Sequence, residues 1–203
     1  MLSFKTLSFA IASLIFITAC DQQTGTNTEN TTGIAVESTN TSVISGVSSK
    51  GPISSALIEI YAFDANDGNE SGTPIASTTT DTNGRWSVSI PTANHTTALL
   101  IKSSGGSYLD ESDPEPDPPK KRVITFGPTD SILGALFPGF NTASVTMMTG
   151  ALIGKSRTEA NGANFLSVLN NNRNIAASAL GFDPFTVASA NPLAPSTASS
   201  VDS

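Results

Sequence analysis

Residues 78–90 read TTTDTNGRWSVSI, and this stretch decides the fold class. Trp86, Val88 and Ile90 alternate with Arg85, Ser87 and Ser89. A period of two puts the large apolar side chains on one face of a strand and the polar ones on the other. Before them, Asp81-Thr82-Asn83-Gly84 supplies the residue types that reverse a chain tightly. A run of threonines precedes that turn, so the stretch predicts strand, hairpin turn, strand.

Working outward, the same signature recurs. Short β-branched and apolar runs occupy residues 42–47, 56–63, 73–80, 85–90, 96–102 and 122–126. Gly51-Pro52, Asn66-Asp67-Gly68 and Asn83-Gly84 punctuate them. The expectation is a mainly β chain, with a small antiparallel β-sandwich over residues 42–126. Between these runs, residues 103–122 include DESDPEPDPPKKR, whose four prolines exclude a helix or a central strand.

Beyond Phe126 the periodicity changes. Residues 127–187 are expected to form a loop and a helical appendage. Val145, Met148 and Leu152 recur at helical spacing, as do Phe165, Leu169, Ile175 and Ala179 more loosely. Gly181, with Pro184 soon after, marks a helix end. Asn170 to Asn174 reads as a loop or helix start, and Met147 and Met148 as helix packing. Residues 188–203 are small and polar, and a disordered tail is expected there.

At the other end stands LIFITACDQQTGTN, residues 14–27, with the single cysteine, Cys20. Lys5 precedes an apolar run over residues 7–17. That run suits a signal peptide and falls short of the roughly 20 residues that span a bilayer. Ile17-Thr18-Ala19-Cys20 resembles the lipobox of bacterial lipoproteins. The resemblance implies that residues 1–19 are a signal peptide, cleaved before a diacylglycerol-bearing Cys20 whose amino group is also acylated. Each buried CH₂ adds about 0.8 kcal/mol to such an anchor. With Cys20 so used, no thiol is left for a disulfide, a nucleophile or a zinc ligand. Residues 20–41 are Thr/Asn-rich and too polar to bury a core, so they are expected to be a flexible tether reaching roughly 25 Å. Asp21, directly after Cys20, resembles the inner-membrane retention signal of enteric bacteria. The location expected is the cell envelope, either the outer membrane or the periplasmic face of the inner membrane.

Two further resemblances rest on motifs. Gly46, Val47, Gly51, Pro52, Ile53, Ala56, Ile58, Ile60 and Tyr61, followed by Thr80, Asp81, Gly84, Trp86 and Val88, resemble the carboxypeptidase-regulatory-like, or transthyretin-like, β-sandwich. The resemblance covers about 60 residues and implies a fold rather than an activity, because such modules are not themselves catalytic. Gly105, Gly106, Tyr108, Asp110 and Glu111 resemble a segment that follows the sandwich in some exported bacterial lipoproteins. Val145-Thr146-Met147-Met148-Thr149 resembles their next segment, with two methionines in place of Pro-Leu.

Charge and residue types narrow the chemistry. The net charge is −7, and removing residues 1–19, with one lysine and no acid, makes it −8. That argues against nucleic acid as a partner. His95 is the only histidine, so neither a conventional zinc site nor a Ser–His–Asp triad is expected. Asp64 to Gly68 has an EF-hand flavour, but its glycine comes at position five and its flanks read as strands. Asp110, Glu111, Asp113, Glu115 and Asp117 sit before Lys120, Lys121 and Arg122 and read as a solvated, charge-compensated loop. Asp81 and Asn83 read as turn formers, and Trp86 as core rather than a sugar platform.

The leading functional expectation is a non-enzymatic structural or adhesive envelope module. It is held at the membrane by lipid on Cys20 and needs no cofactor, metal or catalytic residue. Its partners would be an envelope protein or a glycan. A glycan- or peptidoglycan-binding module using Tyr61, Tyr108 or Trp86 is the alternative, and a metal-dependent hydrolase a distant third.

Overall fold

The computed structural model describes residues 40–110, 122–161 and 164–187. The expected signal peptide, Cys20, the expected tether up to residue 39, Glu111 to Lys121 and the expected tail 188–203 lie outside the described residues. The hairpin of the opening stretch forms as its chemistry dictates. Asp81 Oδ1 accepts the backbone N–H groups of Asn83 and Arg85, both at 2.8 Å. Gly84 adopts a φ of 72°, and its N–H returns to the Asp81 carbonyl at 3.0 Å. Trp86 and Ile90 are buried, Val88 is half-buried, and Arg85, Ser87 and Ser89 face solvent.

The chain is mainly β, with two C-terminal helices. The strands are β1 (Thr41–Ser49), β2 (Leu57–Phe63), β3 (Glu70–Thr79), β4 (Arg85–Pro91), β5 (Leu99–Ser104), β6 (Ser107–Leu109), β7 (Val123–Thr125), β8 (Ser131–Leu136) and β9 (Thr142–Thr146). They precede α1 (Met147–Ala160) and α2 (Phe165–Leu180). Seven strands make one sheet in the order β3-β2-β5-β8-β9-β1-β4. The pairings are antiparallel except β1 with β9. The edge strands β3 and β4 are joined by the Asp81 turn and lie against each other, so the sheet nearly closes on itself. β6 and β7 form a separate hairpin.

Residues 127–187 correct the expectation of a loop and helical appendage. Their first part supplies β8 and β9, which sit in the middle of the sheet order. Val145 belongs to β9 and is fully buried there, so its helical spacing with Met148 was coincidental. β8 and β9 meet in register only at Gly134 and Val145. A side chain at Gly134 would meet the Ser144 carbonyl at 2.6 Å. One residue earlier, the Ser144 N–H turns to the Phe185 carbonyl at 2.8 Å. The segment after α2 thus fills the opening between the two strands, with Phe185 fully buried.

Two apolar cores lie on opposite faces of β2, β5 and β8. Ile58, Ile60, Leu99, Ile101, Ile132 and Leu136 face inward and meet Ile44, Trp86, Ile90 and Val145. Tyr61, Phe63, Leu100, Ala135 and Phe137 face the other way and meet Ile153, Phe165, Leu169 and Phe185. Leu99, Leu100 and Ile101 are all buried because β5 is covered on both faces.

Polar contacts fix the helices to the sheet. Thr146 caps α1 by accepting the Thr149 N–H at 3.2 Å, while Thr149 Oγ1 accepts the Thr146 N–H at 2.8 Å. The same Thr149 hydroxyl lies 2.7 Å from the Leu133 carbonyl of β8. Asn172, expected in a loop or at a helix start, lies well inside α2 and is buried. Its Nδ2 donates to Ser156 Oγ at 3.0 Å and to Glu159 Oε2 at 2.7 Å. Arg173 pairs with Asp183 at 2.7 Å and stacks over Phe137, 4.1 Å from the ring centre. Ile175, expected on the apolar stripe, is exposed, as are Met147 and Met148, which correct the packing expectation. Gly181 ends α2 at a φ of 77° and donates its N–H to the Ala177 carbonyl.

Candidate functional site

The site is built where three chain reversals meet. The first is the loop from Lys50 to Ala56. Thr80 Oγ1 donates to the Ile53 carbonyl at 2.6 Å and accepts the Ala56 N–H at 2.9 Å, both buried. The second is the Asp81–Gly84 turn, tied to the first through Ser48 of β1, whose N–H donates to the Gly84 carbonyl at 2.8 Å and whose carbonyl accepts the Ile53 N–H at 3.1 Å. The third is the β6–β7 hairpin. Ser54 and Ser107 exchange backbone hydrogen bonds at 2.8 and 3.0 Å, docking that hairpin on the first loop. Gly106, at a φ of 81°, allows this approach, since a Cβ there would meet the Ser54 carbonyl at 2.6 Å.

Between the three lies an open cleft of about 430 Å³. It is lined by Pro52, Ser54, Thr82, Asn83, Ser107, Tyr108, Leu109 and Val123. The volume falls in the usual range of small-ligand clefts. Tyr108 is half-buried against Phe126, with ring centres 5.6 Å apart. Lys50 Nζ stands 5.9 Å from the centre of its ring. Leu109 and Val123 are directly paired across the hairpin, and both are exposed, at 42% and 57%. Two exposed aliphatic side chains beside an aromatic ring and a set of hydroxyls make a surface that is apolar in part and hydrogen-bonding in part.

The structure separates the aromatics that the sequence grouped together. Trp86 is only 4% exposed and packs edge-on to Gly46, where a Cβ would lie 2.5 Å from the indole. Its Nε1 is buried without an acceptor among the described residues. Tyr61 is buried under the helices, and burial, followed by the neighbouring Glu59, raises its pKa. Tyr108 alone of the three lines the cleft.

The remaining sequence candidates go elsewhere. His95 sits in the 3-10 turn Thr92–Thr96, its Nε2 3.2 Å from the Phe137 carbonyl. Asp64 Oδ1 accepts from the Asn66 N–H at 2.8 Å, and Asp67 binds Asn69 through both carboxylate oxygens. Those Asn69 contacts lower the Asp67 pKa. Arg157 closes that turn through the Gly68 carbonyl at 2.8 Å. Asp110 pairs with Arg122 at 2.9 Å, and Glu111, Asp113, Glu115 and Asp117 lie outside the described residues. Tyr108 stood out in the sequence as a binding candidate and Pro52, Thr82 and Asn83 only as turn residues, whereas Ser54, Ser107, Leu109 and Val123 were missed. The signal available was the pair of short β-like runs flanking the proline-rich segment.

Compared with models of known families and with curated proteins, the chain matches none.

Proposed function

We propose that the chain is a lipid-anchored protein of the bacterial cell envelope whose β-domain is a non-enzymatic structural or adhesive module. The observation that carries this reading is the order of segments. An apolar leader ends in Ile17-Thr18-Ala19-Cys20, a polar stretch follows, and the first strand begins at Thr41. We take the fold as a transthyretin-like β-sandwich. Supporting this, β3-β2-β5-β8 and β9-β1-β4 enclose the inner core and are joined at one residue pair. The acyl chains on Cys20 would hold the module at the membrane.

Cell fractionation tests the anchor. Wild-type protein should sediment with membranes, and Cys20→Ser should move it to the soluble fraction. A Cys20→Ser protein that still sediments with membranes would overturn the reading. Protease shaving of intact cells bearing a C-terminal epitope tests the adhesive part, since a surface module loses the epitope before lysis and a periplasmic one only after it.

A second reading, binding of glycan or peptidoglycan, is favoured by one observation: Tyr108 stands with four hydroxyl- or amide-bearing side chains in an open cleft.

A further inference from the structure

We infer that the cleft between the β6–β7 hairpin and the Ser54 and Asn83 loops is a binding site for an uncharged saccharide. This rests on the second reading above and assigns it a place and a ligand class.

The lining chemistry selects the class. Ser54, Thr82, Ser107 and Tyr108 present hydroxyls, and Pro52, Leu109 and Val123 aliphatic surface. None of these lining groups carries charge at neutral pH, and the Lys50 ammonium at the cleft's edge is set against the Tyr108 ring. A phosphate or carboxylate ligand calls for Arg, Lys or a run of free N–H groups. A sugar ring presents hydroxyls that both donate and accept, together with a patch of C–H surface. Hydroxyl side chains match the first property, because each can donate and accept. The exposed Leu109–Val123 pair and the Tyr108 ring match the second.

The backbone argues against a peptide laid along this part of the hairpin. Strand addition needs free N–H and C=O groups. Those of Ser54 and Ser107 are already bonded to each other and the Ser54 hydroxyl donates to the Ser107 carbonyl at 3.3 Å, so these two residues offer a ligand the Ser107 hydroxyl and the acceptor side of the Ser54 one.

The frame is fixed before any ligand arrives. The buried Thr80 hydroxyl holds one wall, the Asp81 carboxylate shapes the second, and Gly106 seats the third. A site with little to reorder on binding loses less affinity to that cost.

The test uses the full chain, labelled for NMR and titrated separately with N-acetylglucosamine tetramer, cellohexaose, maltohexaose, a soluble peptidoglycan digest and a neutral Ser/Pro peptide. At least one neutral oligosaccharide should shift the amide resonances of Ser54, Thr82, Asn83, Ser107 and Tyr108 together. Tyr108→Ala should weaken that binding at least tenfold. Thr82 sits in an exposed turn, so Thr82→Val should weaken it severalfold with an unchanged melting temperature. That variant keeps the test valid if Tyr108→Ala loses its fold. Saccharide shifts that map elsewhere would overturn the cleft assignment and leave glycan binding standing. Binding of the charged digest alone, or of the peptide alone, would overturn the ligand class. No response to any saccharide or to the digest would overturn both the cleft and the glycan-binding reading, while the membrane-anchor result would be unaffected.

Discussion

The two faces of β5 bury equally but are covered differently. Inward, Leu99 and Ile101 meet other strands, and the contacts are aliphatic around one indole. Outward, Leu100 meets helices, and the contacts are aromatic: Phe63 with Phe165 at 5.1 Å and Phe137 with Phe185 at 5.4 Å. The inward face closes by the sheet curling on itself. The outward face closes only because the chain continues past β9 into α1, α2 and Phe185 and is pinned back by Thr149, Asn172 and Arg173. α1 and α2, with Phe185, therefore cover the outward face of the sheet as the strands cover the inward one.

The most drastic way to break that comparison is to stop the chain after Thr146. Tyr61, Phe63, Leu100 and Phe137 would then face water. We expect a chain that fails to show a cooperative urea transition, whereas an appendage could be removed with the transition retained. A sharper version uses neighbours on one strand. Ile101→Ala and Leu100→Ala should each cost about 2–5 kcal/mol in urea unfolding, because both side chains are fully buried. A Leu100→Ala cost below about 1 kcal/mol would show the outward face to be loosely covered.

Smaller effects probe the pins. Thr149→Val removes the reciprocal cap and the contact to Leu133, and should cost about 1–2 kcal/mol with the fold retained. The smallest effect is a pH dependence. Lys155, and then Asn172, hold the Glu159 carboxyl below its ordinary pKa. A depressed carboxyl stabilises the folded state above its unfolded value, and that contribution is lost as pH falls through the folded one. The window lies below pH 4.5. Glu159→Gln should therefore lose less stability than the wild type on acidification through that window, measured by thermal melting at stepped pH.

Much of the inward face was legible in the sequence, and for a definite reason. Strands β1 and β4 have one face on the core, so in β4 Trp86 and Ile90 alternate with exposed serines. The turns advertise themselves through Asp81, Asn83 and Gly84. β8 was opaque because burial on both faces removes alternation, and Ile132 to Phe137 reads as one apolar run. β9 was opaque because Ala143 and Ser144 are buried but small. The asparagines at 170–174 looked like a loop or a helix start because asparagine is a poor helix former and a good N-cap. Asn172 is held there by Ser156 and Glu159, partners sixteen and thirteen residues away. Of the cleft, only Tyr108, Pro52 and the Asp81 turn were visible. The other walls come together through the Ser54–Ser107 bridge, a contact across 53 residues that no local pattern reports.

The most direct test of the account is amide hydrogen exchange on the full chain in native conditions. If sheet and helices form one cooperative unit, the slowest amides of β5 and of α2 will open with the same free energy and respond equally to added urea. If α2 exchanges by a separate opening, at far lower free energy and without urea dependence while β5 stays protected, the helices are an appendage and the account is wrong.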